Sequence, residues 1–420
     1  MNLGRDFRFF LNRIKEKLWV RPLVICLVSV MVAFLAGKAD DIGIAANLPE
    51  ISYESVRELL SILSSSMLVI AVFAVGSMIS AYTSASNSAT PRAFNVILAD
   101  DVSQNALSTF IGAFIYGNVA LVALLNGYYE RAGRFTLFVL TVIVFAFVIV
   151  SFVRWVDRIA RLGRLGNTVD KIEKTTANAL SMHARHPTLD CREYSGDASG
   201  EPFFSNKLGY VQRVNVSTLQ EIASQGEAKI YVSTLPGIFV LPDKPLLHVD
   251  AGNATELLEK YGERLQSAFT IGSERTFDED PRFGLCVLSE IASRALSPAV
   301  NDPGTAFSII GAMVRLLDNW SRERDNNEPR ITRDAVYMKA VAIDEMFSDA
   351  FIAITRDGAG MMEVQVHLQK ALRALSRHER TREAAVKHAR LARRYAESEL
   401  KLDEEKDWLQ SECAWLENQS

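Results

Sequence analysis

The chain has 420 residues, with 46 Lys and Arg against 50 Asp and Glu and a net charge of −4. Its four cysteines (Cys26, Cys191, Cys286 and Cys413) include no CxxC pair, which excludes a dithiol redox motif. The near-neutral average conceals two unlike halves, an apolar stretch of 155 residues followed by a polar one of 265.

The N-terminal segment is basic (Arg5, Arg8, Arg13, Lys15, Lys17, Arg21) and carries Phe9, Phe10, Leu11, Ile14 and Leu18 at helical spacing. It reads either as a helix lying on the membrane surface or as an ordinary cytosolic helix entering the first span. Charge-free runs follow: Pro22 to Gly37 with 16 residues, Leu59 to Pro91 with 33, Val102 to Tyr129 with 28 and Phe135 to Val153 with 19. A hydrocarbon core of about 30 Å needs roughly 20 apolar helical residues, so the pattern predicts four transmembrane helices near 18–37, 59–82, 107–128 and 135–154. The first is expected to be an anchor rather than a cleaved signal peptide. Positive residues gather before the first span and after the fourth (Arg154, Arg158, Arg161, Arg164), which predicts both termini in the cytoplasm of a bacterial inner-membrane protein.

Within the spans, helix two is rich in Ser61, Ser64, Ser65, Ser66, Gly76, Ser77 and Ser80. The pairs Gly76/Ser80 and Ser108/Gly112, each four apart, permit close helix approach. The same residues also suit a hydroxyl-lined path completed in a homo-oligomer. Asn118, following Tyr116 and Gly117, needs a hydrogen-bonding partner at depth. The charge-free runs hold no titratable carboxylate, which argues against a carboxylate-relay proton pump. Ser84, Asn87 and Arg92, around Pro91, read as a pore mouth, a docking surface, or a turn that satisfies its own backbone. The candidate path is therefore Ser65, Ser77, Ser80, Ser84, Asn87, Arg92, Tyr116 and Asn118.

The fold class expected is an α-helical membrane protein with four transmembrane helices in 1–155, plus a C-terminal cytoplasmic α+β region. Residues 156–204 form a helical extension and loop, with Val156, Ile159, Leu162, Leu165, Val169 and Ile172 on one stripe. His183, His186, Asp190 and Cys191 invite a metal reading that surface histidines explain better, and no metal or cofactor is assigned. Residues 205–250 read as a small β module with strands at Gly209–Val214, Ala228–Ser233 and Pro245–Val249 and a helix from Ser217 to Ala223. Residues 251–420 read as helical. There Asn301 or Asp302 caps a helix whose first turn holds Pro303. An anion at those amides, completed by Arg275, Asp278 and Asp280, is the competing reading. Near the end, Lys387, Arg390, Arg393 and Arg394 are diluted by neighbouring acids, so no nucleic-acid partner is expected. GxSxG, HExxH, P-loop and Rossmann patterns are absent, and no catalytic residue is assigned.

Several runs together resemble a bacterial membrane-protein family, domain of unknown function 2254. They are Ser88 to Phe94, Leu107 to Gly117, Pro236 to Pro242, Arg275 to Pro281, Ala295 to Pro303 and Asp357 to Gly360. Where family members often carry an aromatic before Ser-Pro-Arg, this chain has Asn87-Ser-Ala-Thr-Pro-Arg92. The resemblance implies a multi-span membrane protein with a cytoplasmic C-terminal portion and brings no activity with it. Two functions are expected from the residues: a channel-like or transport-related protein with a cytoplasmic gating or assembly region, or a non-conducting scaffold or sensor. The partners expected are membrane lipid, further copies of the chain, and an ion or small anionic ligand.

Overall fold

The computed structural model describes residues 19–42, 48–88, 90–93, 101–162, 165–327 and 330–417. The basic segment before residue 19 lies outside the described residues. Two compact units divide the chain between Thr168 and Val169.

Among the described residues, the first unit holds four long helices: α1 (Val20–Gly37), α2 (Tyr53–Ser88), α3 (Asp101–Leu125) and α4 (Arg131–Leu162). Each is long and apolar enough to cross a membrane. The helices α2 and α3 begin about six residues before the predicted spans at 59 and 107. Absence of charge marks only the hydrocarbon depth, whereas backbone hydrogen bonding continues into the interface. Ser52 Oγ accepts the Ser55 amide at 3.1 Å at the start of α2. Asp40 accepts the amides of Glu130 at 2.9 Å and Gly133 at 2.7 Å, placing a carboxylate at the positive end of α4. Leu60, Leu63, Phe110, Tyr116, Leu137 and Trp155 fill the space between the helices. Outside, Leu27, Val72, Ile143, Phe147 and Val153 are exposed, as lipid contact permits.

The second unit starts within α5 (Leu165–Arg185) and continues into mixed α/β structure. Its strands are β1 (Cys191–Glu193), β2 (Glu201–Phe203), β3 (Gly209–Val214), β4 (Lys229–Val232), β5 (Phe239–Val240), β6 (Leu247–Asp250), β7 (Phe269–Gly272) and β8 (Arg333–Met338). Between them lie α6 (Val216–Gln225) and α7 (Ala254–Ser267). One sheet runs β1-β8-β4-β6-β2 and the other β5-β3-β7. The alternating runs at β3, β4 and β6 are strands as expected, with α6 between the first two. Two further strands, β7 and β8, fall in the stretch read as helical. β8 pairs parallel with both β1 and β4, far away in the chain, so no local turn announces it.

The remaining helices are α8 (Phe283–Ala295), α9 (Pro303–Asp325), α10 (Ile343–Asp357), α11 (Met362–Leu375), α12 (Glu379–Glu399) and α13 (Asp403–Cys413). Leu285, Leu288, Met313, Leu317, Phe347, Phe351 and Leu372 are buried among them. The predicted stripe on 156–172 does not behave as one surface. Val156 is exposed in the first unit, while Val169 and Ile172 are buried in the second.

Candidate functional site

Polar side chains of the membrane unit separate into three settings. Ser65 faces outward and its Oγ donates to the Ser61 carbonyl at 2.8 Å, the bond by which a hydroxyl satisfies itself on its own helix. Half-buried Ser77 and exposed Ser80 and Ser84 share a shallow groove with Phe73, Gly76, Ala81, Ile159 and Ala160. Tyr116 is buried, its hydroxyl 3.1 Å from Thr141 Oγ1 and 3.4 Å from the Leu137 carbonyl. Asn118 Nδ2 donates to the Phe114 carbonyl one turn back at 2.8 Å. Arg92 is exposed on a short turn, Pro91–Ala93, and the Asn87 side chain lies outside what is described. The structure thus gathers Ser77, Ser80 and Ser84 and leaves Ser65, Tyr116 and Asn118 elsewhere.

In the second unit, the five candidate residues divide between the two ends of α8. Before its first turn, Arg275 grips Asp280 through Nε at 2.7 Å and Nη2 at 3.0 Å, while its Nη1 approaches Cys286 Sγ at 3.4 Å. Asp280 is almost fully buried and also accepts the amides of Arg282 at 3.1 Å and Phe283 at 3.2 Å, capping α8. Burial alone would lower the Arg275 pKa, but the Asp280 carboxylate more than offsets it and the value rises. Burial pushes the Cys286 thiol up to about 12, which leaves it protonated and unreactive. Neighbouring Glu279 holds Arg213 Nε at 3.2 Å and the Val214 amide at 3.3 Å. Asp278 is exposed. This cluster braces the β structure against α8, and the Arg275 fork is spent on Asp280.

Beyond the other end of α8, a cleft of about 850 Å³ is lined by Glu290, Ser293, Arg294, Ser297, Asn301 and Asp357, among others. Ser293 Oγ donates to Asp357, and Arg356 closes on the same carboxylate at 2.7 and 3.1 Å. Burial would raise the Asp357 pKa, but these donors outweigh it and hold the carboxyl below the usual range. Gln365 Nε2 donates to the Gly358 carbonyl at 2.9 Å, fixing the turn behind the cleft. Asn301 adopts a left-handed backbone with φ of 50°, which Asn tolerates better than most residues. Of the two cap candidates, Asn301 and Asp302, it is Asp302 that caps α9: Oδ1 takes the Thr305 amide at 3.1 Å and Oδ2 the Thr305 hydroxyl at 2.6 Å. Its own carboxylate therefore occupies the place where an anion would sit. A helix of 13 residues, about 20 Å, separates Asp302 from Arg275.

The histidines are divided as well. His183 Nδ1 accepts the Trp320 indole N–H at 3.1 Å, and His186 Nδ1 lies 2.5 Å from Asp190 Oδ1. Among the described residues, no group of three or more His, Cys, Asp or Glu is arranged to hold a metal.

A family model described as a predicted membrane protein, DUF2254, matches residues 15–374. The chain belongs to the DUF2254 family. Uncharacterized proteins of Mycobacterium bovis and Mycobacterium tuberculosis are each 27% identical to it over 237 residues, 54% of this chain. The match spans 45% of the length of each mycobacterial protein. No solved structure matches. This DUF2254 member is a multi-pass membrane protein with a soluble α/β region. Four of its six resemblance-bearing runs meet in pairs. Gly237, with φ of 89°, leaves room for Asp280, because a Cβ there would lie 2.2 Å from Oδ2. Likewise Ala295–Pro303 and Asp357–Gly360 border one cleft. Thr141, Ser293 and Arg356 were not singled out by sequence. Only the Asp-Gly-Ala-Gly turn after α10 hinted at the last two.

Proposed function

We propose that this DUF2254 protein is a scaffold or sensor of the bacterial inner membrane. Its four spans anchor a cytoplasmic region that binds a small ligand or protein segment in the cleft between Ser297 and Asp357. The observation that carries this reading is where the built space lies. The membrane unit is packed with Phe110, Tyr116, Leu137 and Trp155 between its helices, whereas the cleft is open and lined by both signs of charge. The bias of Lys and Arg toward both flanks of the membrane region supports cytoplasmic termini.

A second reading rests on the outward groove at Gly76, Ser77, Ser80 and Ser84. In a homo-oligomer those faces of α2 surround a shared axis, and the chain acts as a channel-like or transport-related protein gated by its soluble region. Ion flux through proteoliposomes distinguishes the two. The scaffold reading expects flux at the level of empty vesicles for several ions and voltages. Flux above that level that is blocked by Ser80→Phe overturns it in favour of the path between copies.

A further inference from the structure

Antiparallel sheets usually keep one face for the core and one polar face for water. The small sheet β5-β3-β7 departs from that pattern. Gly209 pairs with Val240 and Tyr210 with Phe239. Alternation sends Val211 and Val240 into the core, where they are 0% and 2% exposed. The opposite face receives Tyr210 and Phe239, whose rings meet edge-on at 5.0 Å. One register step further, Leu208 and Leu241 extend the same outer face. Leu208 is 65% exposed, Phe239 42% and Leu241 39%, with exposed Phe204 and Ile238 alongside. An apolar outer surface is thereby presented by two neighbouring segments, 204–210 and 236–244. Their ionisable residues apart from Tyr210 are Lys207, Lys244 and Asp243, all exposed.

We propose that this face rests on the lipid surface of the bilayer that the spans cross. Leu208, Phe239 and Leu241 enter the headgroup–acyl boundary, and Lys207 and Lys244 meet anionic headgroups. Three observations favour lipid over a second copy of the chain. The exposed groups are bulky hydrophobes flanked by lysines, the composition that suits an anionic interface. The sheet edge is poorly suited to strand addition, since β5 is two residues long and is bracketed by Pro236 and Pro242, which lack an N–H to donate. Finally, the second unit is covalently tied to membrane helices, so a contact too weak to hold a free protein is populated by proximity.

The test uses the full chain in nanodiscs of anionic lipid, one copy per disc, with a photo-crosslinking amino acid at Phe239 or at Leu208. The same group at exposed Glu404 serves as control. Lipid adducts are expected at both sheet positions and not at the control. Reversing the lysines (Lys207→Glu, Lys244→Glu) lowers the adduct yield about fivefold each, and replacing the anionic lipid with a zwitterionic one has a similar effect. Equal adducts at all three positions, or none at 239 and 208, overturns the proposal. So does crosslinking at these positions to a second copy in discs loaded with two. Because Leu208 lies outside the paired strand residues, its variant tests the contact even if the Phe239 variant fails to fold.

Discussion

Gly117 faces Ser64 so closely across α3 and α2 that a Cβ on the glycine would lie 2.4 Å from the serine Oγ. The Leu60 carbonyl oxygen and the Ser64 amide nitrogen stand 3.4 Å from the same point, already at van der Waals contact, so a side chain longer than a single Cβ has little room toward α2. Lipid offers no hydrophobic drive for helices to associate, and close packing at small residues replaces it. Gly117→Val is therefore expected to cost about 2 kcal/mol in thermal or denaturant unfolding in detergent. Gly76, by contrast, faces nothing within 4 Å. Gly76→Val leaves unfolding of a single copy nearly unchanged. If it also leaves oligomer size in light scattering unchanged, the groove at Gly76 is not a contact between copies.

Asp280 holds two jobs at once, pairing Arg275 and capping α8. Asp280→Ala leaves a partly buried guanidinium without its carboxylate and should destabilise the second unit by about 3–5 kcal/mol. Asp280→Asn keeps an oxygen for the two amides and should cost less. Melting of the purified chain checks the order. An alanine variant as stable as wild type would remove the brace from this account.

The Asp302 cap makes a smaller and pH-dependent contribution. Hydrogen bonds from the Thr305 hydroxyl and amide hold its carboxyl below the ordinary value. Stabilisation from a depressed carboxyl is present above the unfolded value of about 3.9 and is lost as pH falls through the folded one. Asp302→Ala should cost about 1 kcal/mol at neutral pH. Asp302→Asn should retain most of the cap and remove its share of the acid dependence, read from melting temperatures on either side of about pH 4.

The spans were legible because a long run without charge has few ways to satisfy its backbone except as a helix in lipid. The Asp302 cap was legible for a similar local reason, since Asp-Pro before an apolar run already encodes a helix start. Contacts set by packing were not legible. Ser293 reaches Asp357 across 64 residues because α8 and α10 pack side by side. The same α8 keeps Arg275 apart from Asp302, so a grouping that proximity in sequence suggested does not exist in space. Asn118 and Ser65 drew the path reading by their polarity alone, and hydrogen bonds back to Phe114 and Ser61 answer part of that polarity within each helix.

His183 gives the clearest pH signature in the soluble unit. Its ring stacks on Trp320 with centroids 6.0 Å apart and 15° between planes. With Nδ1 accepting the indole N–H, the neutral ring carries its proton on Nε2, an atom shut off from solvent and without a hydrogen-bond partner among the described residues. Burial, reinforced by the charge of Arg324, pushes the imidazole down to about 4. The unfolded histidine titrates near 6.5, so between about 4 and 6.5 the unfolded chain binds a proton that the folded chain refuses. Stability contributed by this group is complete above that window and falls as pH drops through it. Allowing for the partial exposure of the ring, the effect is about 2 kcal/mol. His183→Gln keeps an acceptor for the Trp320 N–H but cannot take the proton. The wild-type melting temperature should therefore fall further than that of the variant between about pH 7.5 and pH 5. Parallel falls in the two proteins would mean that the acid sensitivity arises elsewhere in the unit.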